Sequence, residues 1–374
     1  ELYDRCVEQL LWEWEKKEQT GPADDERERP ALGLVDLLRA EGVALQRSDV
    51  ERVLWELTFD AHAHSGAETA DLPADALRKG LAAIHPKANG GWAWANRVVG
   101  LMRERGGLLV ESDDDIFTFP HRSFQEYLAA RWLLTDTERA TKAAQLAADD
   151  VWREVILLAC GYLTWQGRRE DAQALILELT GGDEFTTAEA RRRLLTGGTA
   201  WLEYNSPPRA TGETGRLLSQ TIPPKLTGLM QQRDAPPAQR LEAGLLLADT
   251  FDRLSTGLGD LPPELDALVP IAAADTLGYD FRIGKYPITN TQYRRFFDAG
   301  GYDEDRSWWT ADVEKELAWD KNWRSGPRLW DDERYNKATQ PVVGVSWEEA
   351  VAYCAWLTGE LRGTVDFDPS AGVS

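Results

Sequence analysis

The sequence predicts a multidomain, mostly α protein: an α-helical region containing a winged helix, a helical array behind it, and an α+β domain that is incomplete at its end. Three observations predict this. Apolar residues recur at helical spacing through most of the first 250 positions; a helix-then-hairpin pattern interrupts them between Trp92 and Phe119; and Trp308, Trp309, Trp319, Trp323, Trp330, Trp347 and Trp356, from a total of 16 tryptophans, crowd the last stretch, where the texture changes. A chain of 374 residues exceeds one ordinary core of about 100–200 residues. The boundaries fall at 1–88, 89–136, 137–262 and 263–374.

In the first segment Leu2, Cys6, Leu10 and Trp14, flanked by Val7 and Leu11, form a helical stripe that dissolves into the charged run Glu15 to Arg29 and stops at Pro30. Helices follow over Ala31 to Glu41, closed by Gly42, and over Ser48 to Ala63, where Ser48 and Glu51 have capping-box spacing. A fourth begins at Leu72 and ends before Pro86. After Asn89-Gly90-Gly91, Trp92 to Arg105 reads as a helix, and Leu108 to Glu111 and Ile116 to Phe119 flank Ser112-Asp113-Asp114-Asp115 as a hairpin. That order is a recognition helix and wing. A wing that binds DNA would carry Lys and Arg at its tip, whereas three aspartates make this one a packing module.

The run Phe117 to Leu134 is the centre of the chain. Pro120 ends a β-prone run because it has no N–H to donate, Ser123 followed by Glu126 offers a cap, and Phe124, Tyr127, Leu128, Arg131 and Trp132 make one stripe with Gln125, Glu126 and Ala129 off it. His121 stands between strand and helix. Behind it, helices are expected over Val151 to Trp165, Glu170 to Leu179 and Thr187 to Leu195, then a Pro-rich gap, then Gln239 to Phe251, with Gly259 to Pro263 as linker. The segment Ala238 to Asp249 resembles one helix of a HEAT-type repeat, so the array is HEAT-like. Beyond the linker, Tyr279 to Tyr286 alternates as a strand, Thr289 to Ala299 reads as a helix capped by Asn290 or Thr289, and Ser346 to Glu360 as a second, with Ser346 and Glu349 as its box. Two helices, one strand and a long aromatic loop are not expected to close a core alone.

Composition excludes several classes. A formal charge of −21 opposes general binding to nucleic acid or an anionic membrane. No run approaches the roughly 18 apolar residues of a membrane span. Cys6, Cys160 and Cys354 lie far apart in apolar surroundings, as reduced core residues of a cytoplasmic protein do. The start, Glu1-Leu2-Tyr3-Asp4-Arg5, shows no signal peptide, and the chain is expected to be part of something longer.

Two resemblances carry function. Phe119-Pro120-His121-Arg122-Ser123-Phe124-Gln125-Glu126-Tyr127-Leu128-Ala129-Ala130 resembles the F-x-H-x-S/T-F-Q-E-Y/F-x-A-A signature of the winged helix of NACHT signalling NTPases, the STAND class, and Glu1 to Leu11 is similar to the helix that follows their ATPase core. The resemblance covers roughly residues 1–135. In that family the histidine of the signature reaches the β-phosphate of ADP and holds the module closed, which implies this role for His121 in the intact parent protein, with ATP or ADP and magnesium as its cofactors. Imidazole suits the task because it donates to an anion and can let go. No G-x-x-x-x-G-K-[ST] loop occurs in the sequence, so this chain is expected to hold no cofactor by itself and to hydrolyse no ATP unaided. The implied partner is the NACHT ATPase core that is missing here, with an oligomer on activation among the arrangements allowed.

The last part, Phe281 to Tyr293, Gly300-Gly301-Tyr302, Trp308-Trp309 and Gln340 to Leu357, resembles the formylglycine-generating enzyme or sulfatase-modifying factor family, a variant of the C-type lectin fold. The family's M-G-S stretch before the first strand is not seen, and its R-L-P-T-E-x-E-W-E continuation does not occur by Ser374. Its catalytic cysteines lie in that continuation, and Cys354 falls at a packing position of the Ala-Tyr-Cys-Ala-Trp helix. Iron-dependent relatives use histidines, yet His62, His64, His85 and His121 all precede the domain, and His62 and His64 would sit about 200° apart on a helix, a poor chelate. No catalytic or metal site is expected. The co-occurrence of both signatures implies a non-catalytic part of a NACHT/STAND signalling or defence protein whose lectin-like domain senses an unknown protein or small ligand. The alternatives are a member of the formylglycine-generating or non-heme iron enzyme family, inactive or incomplete as given, and a helical scaffold with a degenerate appendage. Most of the late tryptophans are expected to fill a core; a ligand site in that loop is the sharper reading.

Overall fold

A computed structural model describes residues 1–13, 34, 45–66, 68–86, 90–105, 107–113, 115–182, 185–205, 212–250, 268–271, 281–284, 287–318, 323–337 and 340–362. The protein is multidomain and mostly α. It divides into two compact units, Glu1–Leu218 and Ser219–Ser374, each taken by itself.

The first unit opens with α1 (Leu2–Glu8), which runs on through a π-type turn, Gln9–Glu13. The expected helix over Ala31 to Glu41 lies outside the described residues except for Leu34, which is helical and buried. Helix α2 (Arg47–Ser65) starts one residue earlier than predicted. Its N-cap is Gln46, so the reciprocal position falls on Asp49, which accepts the Gln46 N–H at 2.7 Å, while Glu51 accepts the Trp12 indole N–H at 2.8 Å. The expected start of the next helix is instead a short strand, β1 (Leu72–Pro73), too brief to show alternation and tolerant of proline because it is an edge. Then follow α3 (Ala74–Ile84), α4 (Gly91–Arg105) and the hairpin β2 (Val110–Asp113) and β3 (Ile116–Thr118). The sheet order is β1-β3-β2, all antiparallel, with Leu72 opposite Phe117 and a bulge between Glu111 and Asp113.

At the wing tip Asp115 takes the left-handed conformation, φ 61°. Its carboxylate accepts from Arg78 at 3.0 Å and Arg103 at 2.7 Å, which hold it below the usual carboxylate range, and its carbonyl accepts the Ala74 N–H. The aspartate thus ties the tip to the helices it rests on. Trp94, Phe117, Leu54, Leu77, Leu81 and Leu108 are fully buried beneath it and anchor this core.

Helix α5 (Arg122–Leu133) leaves β3 and packs on α2. The array continues with α6 (Arg139–Leu146), a 3₁₀ turn (Asp150–Trp152), α7 (Arg153–Trp165), α8 (Arg169–Leu179) and α9 (Ala188–Asn205), in which α5 packs on α7, α6 on α8, and α9 on both α7 and α8. Among the described residues the Pro-rich gap is largely helical. Helix α10 (Gly212–Gln231) runs through Pro223 and Pro224. Two missing N–H groups are tolerated because Leu218, Ile222, Leu226 and Leu229 are buried at helical spacing, and burial outweighs local propensity.

The second unit begins within α10, at Ser219, and carries α11 (Pro237–Thr250), β4 (Leu268–Ile271), β5 (Phe281–Gly284), α12 (Asn290–Asp298), α13 (Ala311–Leu317) and α14 (Trp347–Arg362). Strand β4, unread in the sequence because Pro270 interrupts it, pairs antiparallel with β5, Val269 opposite Ile283. Thr289 caps α12 in a reciprocal box with Gln292, and Ser346 and Glu349 exchange the same bonds at α14. Contrary to expectation, the described helices and loops do close an aromatic core of their own: Tyr293, Phe296, Tyr302, Trp309, Leu317, Trp330, Ala352 and Tyr353. The Asn290 amide stitches it by donating to the carbonyls of Tyr335 and Lys337, both at 2.7 Å.

Candidate functional site: the strand-to-helix junction

His121 occupies the N-cap position of α5 with extended backbone, φ −140° and ψ 139°, and is exposed. Its side chain makes no cap bond, and among the described residues no partner engages it. Ser123, the predicted cap, lies inside the first turn. The reason is phase: His121 O already accepts the Phe124 N–H, so the helix begins two residues earlier than a Ser123 cap requires. Glu126 pairs with Arg122 at 2.7 Å, and the same guanidinium reaches Glu68 O at 3.3 Å. The junction is thus an exposed imidazole at the open end of a helix, beside a committed arginine. Free backbone N–H groups and the helix dipole favour an anion at such an end.

Helix α5 is held more completely than its apolar stripe predicts. Gln125, Glu126 and Ala129, placed off the stripe, are buried with Tyr127, Leu128, Ala130 and Leu133, because both α2 and α7 pack on the helix. Two polar clusters fasten it. At its first turn Gln125 accepts the Ala70 N–H at 2.7 Å and lies 2.8 Å from His62 Nδ1, while His62 Nε2 meets Val151 O at 3.0 Å. At its last turn Arg131 donates to Asp4 at 2.8 Å and stacks between the rings of Trp55 and Tyr162, at 4.3 and 4.2 Å; Tyr127 donates to the same Asp4 oxygen at 2.6 Å. Burial pushes the Tyr127 hydroxyl and the Glu51 carboxyl, both beside this cluster, above their ordinary ranges. A pocket of about 270 Å³ lies here, lined by Asp4, Trp12, Arg47, Glu51, Tyr127 and Arg131 among others. Neither Gln125 nor His62 is marked as a support by spacing, since their bond joins residues 63 apart.

The remaining candidates separate. His62 and His64 do not converge: His64 Nδ1 meets Asp60 O at 2.8 Å on the exposed face, and among the described residues no group of three His, Cys, Asp or Glu side chains could hold a metal. Of the cysteines, Cys160 is buried and its thiol is pushed up to about 12 by burial, Cys6 is half-buried, and Cys354 is exposed rather than a core residue. Its helix turns Tyr353 and Ala352 inward, and position 354 is carried to the other face.

In the second unit the aromatic loop is chiefly a core. The Tyr293 and Tyr302 hydroxyls lie 3.0 Å apart, and Tyr302 donates to buried Glu349 at 2.6 Å. The indoles of Trp308 and Trp309 both donate to Gly301 O, at 2.9 and 2.8 Å. A Cβ on Gly301 would meet three Phe296 ring atoms at 2.5–2.6 Å. Gly301→Ala is therefore expected to destabilise this unit by about 1–3 kcal/mol, read as a lower denaturant midpoint of its near-UV circular dichroism. Trp347, by contrast, is 75% exposed.

Residues 1–133 match the family model for the winged helix-turn-helix domain C-terminal to NACHT, and residues 240–372 that for the sulfatase-modifying factor enzyme 1-like domain. Curated relatives include the hercynine oxygenases of Mycobacterium tuberculosis, 32% identical over 138 residues (32% of this chain and 31% of the relative), and of Mycolicibacterium thermoresistibile, 31% identical over 137 residues (32% and 29%). The hercynine oxygenase of Mycolicibacterium smegmatis is 33% identical over 110 residues (25% and 24%). The chain thus spans less than a third of the length of the curated relatives it matches. No solved structure matches. Among the described residues no helix is long and apolar enough to cross a membrane.

Proposed function

We propose that this chain, which joins a NACHT-associated winged helix to a domain of the sulfatase-modifying factor family, is the regulatory part of a signal-transduction protein. In this reading His121 donates to a phosphate of ADP held by a NACHT ATPase core, and the C-terminal domain senses a protein or small ligand. One observation carries it: the His121 side chain is exposed at the N-cap of α5 and unengaged among the described residues. The arrangement fits the group, since an imidazole N–H and the backbone donors of a helix end both suit a phosphate. ATP or ADP with magnesium would bring the phosphates; this chain supplies a hydrogen-bond donor and a rigid helix behind it. The wing supports a protein partner over nucleic acid, because Arg78 and Arg103 are occupied by Asp115.

In the intact protein with its ATPase core, His121→Ala is expected to speed ADP release about 10- to 100-fold, the effect of one charge-assisted hydrogen bond. Release is measured with a fluorescent ADP analogue. Unchanged release overturns the role of His121. The similarity to hercynine oxygenases favours the second reading, an enzyme of the sulfatase-modifying or non-heme iron kind. Residues 240–374 hold no histidine and a single cysteine, Cys354, so the sensor reading needs nothing those residues lack. Thiol oxidation of a sulfatase-type peptide, detected by mass spectrometry, would decide for the enzyme.

A further inference from the structure

His62 and Gln125 are both completely buried, and their hydrogen bonds join four pieces of chain: α2, the segment before β1, α5 and the 3₁₀ turn before α7. The chemistry of each partner fixes the proton. Val151 O can only accept, so Nε2 must carry hydrogen. The Ala70 N–H fixes the Gln125 oxygen, so the amide NH₂ faces His62 Nδ1 at 2.8 Å and Ser65 Oγ at 3.1 Å, and Nδ1 must accept. A second proton on the ring would set N–H against N–H; turning the amide over would only move that conflict to the Ala70 N–H.

We propose that His62 is a proton-sensitive pin that holds the first turn of α5 to the helical array, and that acid withdraws it. The groups facing the ring from its neighbours are Arg122, from α5, which opposes a second proton, and Asp149, before the 3₁₀ turn, which favours one; the Trp152 ring packs edge-on at 4.8 Å. Burial, the largest influence, lowers the imidazole below its ordinary 6.5. The sign follows. A depressed histidine contributes stability that is whole above the unfolded value and is lost as pH falls through the folded one, by at most about tenfold in the opening equilibrium per pH unit. Because Gln125 lies one turn after His121, opening would also loosen the proposed phosphate contact, yet the pin needs no nucleotide.

The test is a pH titration of this chain from 8 to 4.5 by histidine side-chain ¹⁵N NMR, with hydrogen exchange corrected for the intrinsic pH dependence. The expected result is a neutral Nε2–H tautomer for His62 that persists below pH 6.5. Exchange over 122–133 and 150–152 should then rise about tenfold per pH unit in the acid limb. Gln125→Glu, which turns the amide donor into an acceptor and favours a second proton on the ring, should shorten or reverse the limb, and His62→Gln should remove it. A His62 that titrates at or above 6.5, or exchange in α5 that is flat from pH 7 to 5, overturns the proposal.

Discussion

Phe296→Ala is expected to cost the C-terminal unit about 3–5 kcal/mol, enough to melt its aromatic core at ordinary temperature. Phe296 is fully buried and is ringed by Tyr293, Tyr302, Trp308, Tyr353 and Trp356, with centroids 5.4, 5.6, 6.0, 5.8 and 5.6 Å away. Removing the ring leaves a void that five large side chains cannot fill without leaving their own contacts, and Gly301 has no side chain to move inward. The effect is read as loss of near-UV circular dichroism together with faster exchange in α12 and α14. Phe296→Leu, which keeps most of the volume, should cost less than half as much. A change under about 1 kcal/mol for the alanine variant would show that the loops around α12, not the rings, hold the unit.

How much of this was legible in the sequence depended on the kind of force involved. Elements set by local chemistry came through: the Thr289 and Ser346 caps, the α3–α4 pair, the hairpin and α14 all sit within a few residues of their expected places, since caps and periodicity are written in neighbouring residues. Elements set by distant partners did not. β1 exists because Phe117 lies opposite Leu72, and β4 because Ile283 lies opposite Val269. Helix α10 keeps two prolines because its buried face outweighs them. The same division governs the candidate site. His121 was found because a resemblance names it, and the structure leaves it exposed; the buried pair Gln125 of α5 and His62 of α2 was invisible because a hydrogen bond between residues 63 apart leaves no periodic trace.

Arg131 is where that long-range bonding should weigh most in the first unit. Arg131→Ala is expected to destabilise it by about 2–4 kcal/mol, below the 3–5 of a wholly buried pair because the Arg131 and Asp4 side chains keep 17% and 30% exposure. Three losses combine: the charge opposite Asp4, the donor beside Tyr127, and the plane that fills the space between Trp55 and Tyr162. Arg131→Lys separates them. It keeps the charge but not the fork or the flat stack, and should recover less than half of the stability. A double-mutant cycle with Asp4→Ala then isolates the ion pair, with a coupling of about 1–2 kcal/mol expected in the exchange free energies of α5 amides. Additivity within about 0.3 kcal/mol would assign the effect of Arg131 to its stacking and its bond to Tyr127, and α1 would then be attached to the winged helix by Tyr127 and its ring contacts with Tyr3 rather than by the ion pair.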